Sequence, residues 1–419
     1  MANQLHVPGK PARLFQLDAL RGIGALTVVV YHLQILWSQQ SPPSSPVAGY
    51  LLKAVSPFGT EAIMFFFLLS GFVLSLSAIE GKPQAWFTFV VRRIFRIYVP
   101  YLGALAVAVA GAFWLHGAVT RSIWFHAFWS EPVDWRLVGQ HVLFVGSYNT
   151  QQFDCPIWSL VQEMRISLIF PALCWLVLRF KSRWSLGLAA ALTCLAVLFG
   201  LPAVPEALQA YNSFQIAALF VFGIFLARER NRFADWYRGL PRFAKFLAGF
   251  ASIGCFLFGG TCLILLTGHI FGRASTEVAQ WMTAIGAGGI VMVSLHSWWC
   301  QKALAWEPIQ FLARISYSLY LWHFVVLLYC VHLFYGRMPF AAVLGLAFVL
   351  MFPLSWLSFR WIELPSNALG RRLGAIRLKR PAHLNTPGFD TPGFESARST
   401  HAESFQASSP DAVADSSAA

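Results

Sequence analysis

The stretch FQLDALRGIGALTVVVYH, from Phe15 to His32, decides the fold. The chain stays apolar to Trp37, which is long enough for a helix to cross a bilayer. Arg21 and His32 are separated by about three whole helical turns, so they share one face about 16 Å apart along the axis. Asp18 precedes Arg21 by one turn and can pair with it. A lone histidine in a span often serves only to hydrogen-bond two helices together. Charged residues in a span are costly, so Arg21 and His32 on one face beside Asp18 favour a functional site.

The segment Leu17–Gly22 (LDALRG), with His32 completing an Arg-x10-His spacing, resembles the opening of the membrane-bound acyltransferase family 3. Members of this family transfer acyl groups, mostly acetyl, to sugars and other hydroxyl compounds. The resemblance implies that His32 is the catalytic base. Arg21, deeper on the same face, would orient the donor or the histidine. The spacing alone predicts only that the two polar residues share a face.

Composition indicates a membrane protein. Of 419 residues, 57% are hydrophobic and 12% are charged, with a mean hydropathy of +0.58; a soluble domain carries about 25% charged residues. The net charge of +13 does not indicate a nucleic-acid partner, because the basic residues cluster between apolar segments, where they orient helices. The seven cysteines show no metal-binding spacing, and the N-terminus shows no cleavable signal peptide. We therefore expect an all-α polytopic membrane protein that uses no metal ion.

About ten segments are long and apolar enough to span. They are residues 15–37, 57–79, 97–117, 157–178, 185–202, 211–227, 245–270, 281–300, 311–333 and 341–361. Eighteen Lys and Arg residues follow spans two, four, six and ten, against five in the opposite connections, which predicts that both termini are cytoplasmic. The predicted parts are a cytoplasmic N-terminus (1–14), an acyltransferase transmembrane domain (15–372) and a cytoplasmic tail (373–419).

The tail is rich in Ser, Ala, Pro and Thr from Pro381 onward and repeats Thr-Pro-Gly-Phe at 386–389 and 391–394. This composition is typical of disordered segments. The tail is too short for the extracytoplasmic esterase-like domain that some family members append. We therefore expect the transmembrane domain to complete the transfer itself or to hand the acyl group to another protein.

The segment Phe58–Phe72 (FGTEAIMFFFLLSGF) resembles the second family block. Small residues let helices approach closely, so we assign Gly71 to packing and keep Ser70 as a candidate in the acyl tunnel. Many relatives carry an acid where this chain has Met64. Glu61, three residues earlier on nearly the same face, is the candidate substitute.

The segment Arg92–Tyr101 (RRIFRIYVPY) resembles the third block. Arg93 and Arg96 form an Arg-x-x-Arg pair on one helix face, where guanidinium groups can bind phosphates bidentately. The resemblance implies that this pair binds the acyl donor through the phosphates of acyl-CoA. The alternative is that these arginines only set the orientation of the helix.

The segment Pro156–Arg165 (PIWSLVQEMR) resembles the Trp-Ser-Leu-x-x-Glu block of the family. It begins the fourth span on the side toward which the first span carries His32. We therefore predict that Glu163 pairs with the imidazole and stabilises the imidazolium. The alternative is an interfacial Glu163 paired with Arg165. Trp158 is a candidate for contact with substrate.

The preceding connection, 118–156, is long and aromatic. Its apolar piece His141–Ser147 is too short to span, so it is interfacial or re-entrant. Trp124, Trp129 and Trp135 either stack on sugar rings or lie at the membrane interface, as tryptophans commonly do.

The segment Ile315–His323 (ISYSLYLWH) resembles the fifth block. Its polar residues recur at helical spacing and give span nine a polar stripe. The stripe comprises Ser316, Tyr317, Tyr320 and His323. These side chains either line the acyl tunnel or form hydrogen bonds between helices. The terminal block Trp361–Pro365 is expected to anchor the last helix.

Five blocks in family order predict O-acyl transfer from acyl-CoA, with acetyl-CoA as the expected donor. The acceptor would be a hydroxyl of a carbohydrate, a lipid-linked glycan or another envelope or secreted compound at a bacterial inner membrane. His32 either deprotonates the acceptor or carries the acyl group as an acyl-histidine.

The main alternative is a polytopic transporter of a small polar or anionic solute, because charged residues within spans also line solute paths. The sequence shows neither a repeat of its first half nor paired helix breaks, which favours the enzyme. A receptor-like protein is the second alternative, and it would leave the polar helix residues without a use.

Overall fold

The computed structural model describes residues 14–40, 58–117, 119–120, 122, 124–143, 149, 152–199, 211–271 and 273–375. Fifteen α-helices occupy these ranges, and three of them continue directly into a π-helical turn. The helices are α1 (Phe15–Gln40), α2 (Phe58–Ile79), α3 (Trp86–Arg93), α4 (Val99–Leu115), α5 (Trp135–Leu143), α6 (Ile157–Arg179), α7 (Ser182–Phe199), α8 (Tyr211–Gly239), α9 (Arg242–Gly254), α10 (Gly260–Phe271), α11 (Arg273–His296), α12 (Trp298–Leu304), α13 (Glu307–Phe334), α14 (Phe340–Ser358) and α15 (Leu364–Ala375). The π-helical turns are Ile94–Tyr98 after α3, Cys255–Gly259 after α9 and Phe359–Glu363 after α14.

Nine helices in the described ranges are long and apolar enough to cross a membrane, when segments joined by a π-helical turn count as one. They confirm the all-α polytopic class and match every predicted span except the sixth, 211–227. That segment lies in α8, whose polar first turn and arginine-rich second half lower its mean hydropathy. The apolar part of α8 is buried against α2 and α7.

The first helix lies against α13 at a glycine. A Cβ added at Gly22 would lie 2.6 Å from the backbone nitrogen of Ala313 and 2.7 Å from the carbonyl carbon of Leu312. The two backbones therefore touch, as small residues permit between membrane helices. This contact sets the face of α1 that carries Arg21 and His32 against the polar stripe of α13.

The second helix approaches α8 in the same way, and Gly71 has the packing role predicted for it. A Cβ at Gly71 would overlap the carbonyl of Phe220, and a Cβ at Gly223 would overlap the carbonyl of Leu68. The two glycines therefore allow α2 and α8 to pack backbone to backbone.

Several sequence predictions lie outside the described residues. They concern the N-terminus up to residue 13, the tail from residue 376 with its repeats, and the basic residues Lys53 and Arg121. The last helix, α15, ends at Ala375, beyond the predicted domain boundary at residue 372. The apolar piece that starts at His141 is described only as far as the end of α5 at residue 143.

Candidate active site

A pair of buried histidines joins α1 to α13. Nδ1 of His32 lies 2.9 Å from Nε2 of His323, and the two rings are inclined by 21° with their centroids 5.1 Å apart. His32 is 6% exposed and His323 is fully buried. The polar stripe predicted on span nine therefore supplies the hydrogen-bond partner of His32.

Aromatic side chains cover the histidine pair. Trp124, from the connection before α5, stacks almost parallel to the His32 ring at 5.9 Å, and Phe324 presents its edge to it at 5.2 Å. Trp129 is buried and donates from Nε1 to the carbonyl of Phe153 (3.0 Å), whereas Trp135 is exposed. Of the three tryptophans that the sequence singled out in this connection, Trp124 is the one against His32.

The predicted pairing of Glu163 with His32 is wrong. Glu163 Oε1 accepts a hydrogen bond from Nη2 of Arg93 (2.5 Å) and a longer one from the Ser70 hydroxyl (3.4 Å). The sequence placed a carboxylate and an imidazole on the same membrane side, but it could not show that Arg93 lies closer to the carboxylate. A guanidinium and a carboxylate form a stronger, charge-assisted bond than two neutral groups.

The two arginines of the Arg-x-x-Arg motif have different surroundings. Arg93 is 5% exposed, and besides its ion pair with Glu163 it donates from Nε to the Ser167 hydroxyl (3.1 Å). Arg96 lies in the π-helical turn Ile94–Tyr98, is exposed, and lines a cavity. π-helical turns are rare and occur frequently at functional sites. The motif therefore gives one structural arginine and one that faces open space.

The cavity has a volume of about 90 Å³ and lies between α1, α2, α6 and α13. Its charged lining residues are Arg21, Arg96 and Glu163. Two arginines against one glutamate leave the charged lining with an excess of one positive charge. The remaining lining residues are hydroxyl-bearing or apolar: Ile63, Phe66, Phe67, Ser70, Ile97, Ser159, Leu160, Ser316, Tyr317 and Tyr320.

The polar stripe of α13 bonds helices together, and its residues Ser316, Tyr317 and Tyr320 also line the cavity. The Tyr317 hydroxyl donates to the carbonyl of Ile97 in the π-helical turn (2.7 Å). The hydroxyl of Ser159 donates to a backbone carbonyl, and the Tyr320 hydroxyl lies 2.6 Å from it and donates to it. Ser318 donates to Glu363 (2.8 Å), which agrees with the predicted anchoring role of the terminal block.

Tyr320 connects the cavity with the histidine pair. Its ring contacts Phe66 edge to face at 5.8 Å, and both residues line the cavity. On its other side, Tyr320 lies one turn before His323, with ring centroids 6.0 Å apart. The cavity and the imidazoles are therefore neighbours along the face of α1 that carries both Arg21 and His32.

Trp158 and Glu61 are not among the described residues that line the cavity. The Trp158 ring packs edge to face, at 6.5 Å, against Phe67, which does line it. Glu61 occupies the first turn of α2, and its Oε2 atom is buried without a hydrogen-bond partner in the described part of the chain. The structure therefore does not bring Glu61 or Trp158 together with Arg21 and Arg96.

Sequence reasoning missed three contributions to this site. They are the pairing of His323 with His32, the cover that Trp124 provides, and the bond from Arg93 to Ser167. The pairing of the two histidines had a signal in the sequence, because helical spacing puts His323 one turn beyond Tyr320 in the polar stripe. The other two depend on contacts between distant segments. Among the described residues, no group of three His, Cys, Asp or Glu side chains is arranged to hold a metal ion.

A polytopic bundle with a buried histidine pair beside an arginine-lined cavity defines a membrane protein with an intramembrane polar site. The family model described as "Acyltransferase domain" matches residues 14–360, and the chain belongs to this family, acyltransferase family 3.

Two of the three curated relatives described here match along more than four fifths of this chain. Peptidoglycan O-acetyltransferase OatA of Listeria monocytogenes is 22% identical over 84% of this chain and 56% of its own length. Acyltransferase MdmB of Streptomyces mycarofaciens is 30% identical over 45% of this chain and 47% of its own length. Putative membrane-bound transacylase BcsY of Komagataeibacter xylinus is 23% identical over 83% of this chain and 81% of its own length. The chain spans about half the length of the first two relatives, and no solved structure matches it.

Proposed function

We propose that this protein is a membrane-embedded O-acyltransferase that moves an acyl group, acetyl in the simplest case, from acyl-CoA to a hydroxyl group. One observation carries the proposal: in a chain of this family, a buried imidazole and an arginine-lined cavity share one face of α1. The names of relatives, peptidoglycan O-acetyltransferase among them, support a carbohydrate or another envelope compound as the acceptor.

The donor would bind with its anionic groups at Arg21 and Arg96. Guanidinium groups bind phosphate more specifically than ammonium groups, because their donors form a planar fork. A cavity of about 90 Å³ has room for a few water molecules, which is enough for an acyl group but not for a nucleotide. The nucleotide of acyl-CoA would therefore remain at the cytoplasmic mouth while its acyl end points toward His32.

His32 would act as the general base. It removes the proton of the acceptor hydroxyl while the hydroxyl oxygen bonds to the thioester carbonyl carbon. The carbon–sulfur bond then breaks, and the imidazolium returns its proton to the departing thiolate. A two-step route, in which the acyl group first bonds to the imidazole and then passes to the hydroxyl, uses the same residue.

The protein would work in a bacterial inner membrane with α8 as its tenth span and both termini in the cytoplasm, as the distribution of Lys and Arg between the ten segments favours. Its partners would be the bilayer, acyl-CoA on the cytoplasmic side and a glycan or lipid-linked glycan acceptor.

The test uses the full chain, purified in lipid nanodiscs, with radiolabelled acetyl-CoA and peptidoglycan fragments or lipid-linked oligosaccharides as acceptors. The parental protein should release free CoA thiol and place the label in a base-labile ester. His32→Ala should do neither. His116→Ala, which changes an exposed histidine whose hydrogen bond among the described residues is to its own helix end, should behave like the parent.

The transporter alternative predicts a different outcome. A transporter reconstituted in sealed vesicles would take up a labelled solute without cleaving the thioester. A parental protein that leaves acetyl-CoA and longer acyl-CoA intact with every acceptor offered would overturn the proposed donor.

A further inference from the structure

The hydrogen bonds of His323 determine which of its nitrogens carries the proton. Its Nδ1 atom lies 2.7 Å from the carbonyl oxygen of Tyr320 and 3.1 Å from that of Leu319. A carbonyl oxygen only accepts hydrogen bonds, so Nδ1 of His323 must be the donor. In a neutral imidazole the other nitrogen is then an acceptor. Nε2 of His323 therefore presents a lone pair.

This lone pair faces Nδ1 of His32 at 2.9 Å. His32 must therefore donate from Nδ1, which leaves the lone pair of its own ring on Nε2. The opposite arrangement would require a doubly protonated His323. That imidazolium would be fully buried, where an ionised group without an opposite charge is very costly.

We infer that His323 is a positioning residue that holds His32 in the Nδ1–H tautomer and so makes Nε2 of His32 the basic nitrogen. The inference rests on the proposed acyl transfer. Nε2 of His32 has no hydrogen-bond partner among the described residues, so it is left for the acceptor hydroxyl. It takes the hydroxyl proton as the new carbon–oxygen bond forms, and it gives that proton to the thiolate when the carbon–sulfur bond breaks.

The bond from Nδ1 of His32 to His323 persists through both proton transfers. When Nε2 is protonated, the charged ring is a stronger donor to His323, which stabilises the imidazolium. A carboxylate would do this more strongly, as in catalytic triads. A neutral histidine, however, leaves the resting pair without a buried charge in a membrane-spanning helix, where charges are expensive.

The geometry also keeps the two rings in place. His323 is held by carbonyls of its own helix, and Trp124 stacks on the face of His32. A ring fixed on both sides presents Nε2 in one direction. The acceptor must therefore approach His32 at Nε2, the ring nitrogen that does not bond to His323.

The experiment compares His323→Leu with His323→Gln in the full chain. Leucine removes the acceptor, whereas the carbonyl oxygen of glutamine reaches the region that Nε2 occupied. For His323→Leu we expect kcat for acyl transfer to fall by about 10²-fold or more, with the KM for acyl-CoA within about twofold of the parent. His323→Gln should recover at least tenfold of that loss (~10-fold, the effect of one hydrogen bond at about 1.4 kcal/mol).

His332→Leu is the matched control. His332 lies on the same helix and also bonds from Nδ1 to a carbonyl of that helix, but it does not contact His32. This variant should transfer acyl groups at the parental kcat. Parental kcat in His323→Leu would overturn the inference. So would equal loss in His323→Leu and His323→Gln when both are inserted normally and bind acyl-CoA, because His323 would then act by shape alone.

A measurement independent of activity separates this inference from the proposed function. In ¹⁵N-histidine-labelled protein, NMR reports which nitrogen of each imidazole is protonated, and His32→Gln identifies the signals of His32. We expect a protonated Nδ1 and an unprotonated Nε2. A protonated Nε2 in the neutral ring would overturn the tautomer. A parental protein with the expected tautomer that never cleaves acyl-CoA would overturn the acyl transfer and leave the tautomer established.

Discussion

The histidine pair and the arginine-lined cavity lie on the same face of α1, yet their polar groups are satisfied in opposite ways. His32 and His323 bond to each other inside an aromatic shell. At the cavity, Arg93 is paired with Glu163, whereas Arg21 and Arg96 line open space. One region is buried and uncharged, and the other is open and lined by arginines.

This difference matches the two tasks of an acyl transfer. A general base works from a fixed position, so its ring is held by packing and by one hydrogen bond. A site for an anionic donor needs positive charge that the protein has not already neutralised. The predictions below change the ion pair beside the cavity, the contact between α1 and α13, the cavity lining and the base.

The largest effect on folding is expected at the ion pair beside the cavity. Glu163→Ala leaves Arg93 buried without its counter-charge, which should lower the free energy of unfolding by about 3–5 kcal/mol. The double variant Arg93→Ala/Glu163→Ala should be more stable than Glu163→Ala, because no unpaired charge remains. Thermal unfolding in detergent measures both. If Glu163→Ala unfolds at the same temperature as the parent, the ion pair does not stabilise this region.

The contact between α1 and α13 gives the next effect. Gly22→Ala brings a methyl group against backbone atoms of Leu312 and Ala313, so the helices must separate. We expect a loss of about 1–3 kcal/mol and slower transfer, because His32 and His323 sit on these two helices. Gly187→Ala is the control, since a Cβ there meets nothing within 4 Å. Equal stability and activity of the two variants would contradict the role of the backbone contact in setting the histidine pair.

The mildest effect on folding is expected at Arg96. Arg96→Ala should leave insertion unchanged and raise the KM for acyl-CoA by about tenfold (~1.4 kcal/mol). Lysine at this position should rescue only in part, because it lacks the planar fork. Arg92→Ala is the control: Arg92 belongs to the same basic cluster but bonds to Gln84 and lies outside the cavity lining. If Arg96→Ala and Arg92→Ala raise the KM for acyl-CoA equally, the arginines act only by setting the orientation of the helix in the membrane.

The fold was predictable from the sequence because its causes are local. Apolar length and charge pattern defined the spans and the all-α class. Whether α8 spans the membrane is harder to predict, because its apolar half is covered by protein and its second half carries arginines.

The site was predictable only in part. The shared face of Arg21 and His32 follows from helix geometry, and the polar stripe of α13 follows from its spacing. The partners of these residues do not follow, because they depend on contacts between helices that are far apart in the chain. The motifs therefore predict the wrong partner for Glu163, and they give Arg93 and Arg96 the same role although, of the two, only Arg96 lines the cavity.

The most direct test of the account is the turnover of His32→Gln, measured with its amount in the membrane and its affinity for acyl-CoA. Glutamine can still donate a hydrogen bond to His323, but it cannot accept a proton near neutral pH. We predict normal insertion, parental binding of acyl-CoA and a fall in kcat of at least about 10²-fold. A correctly inserted His32→Gln protein that acylates its acceptor at the parental rate would contradict the assignment of His32 as the base.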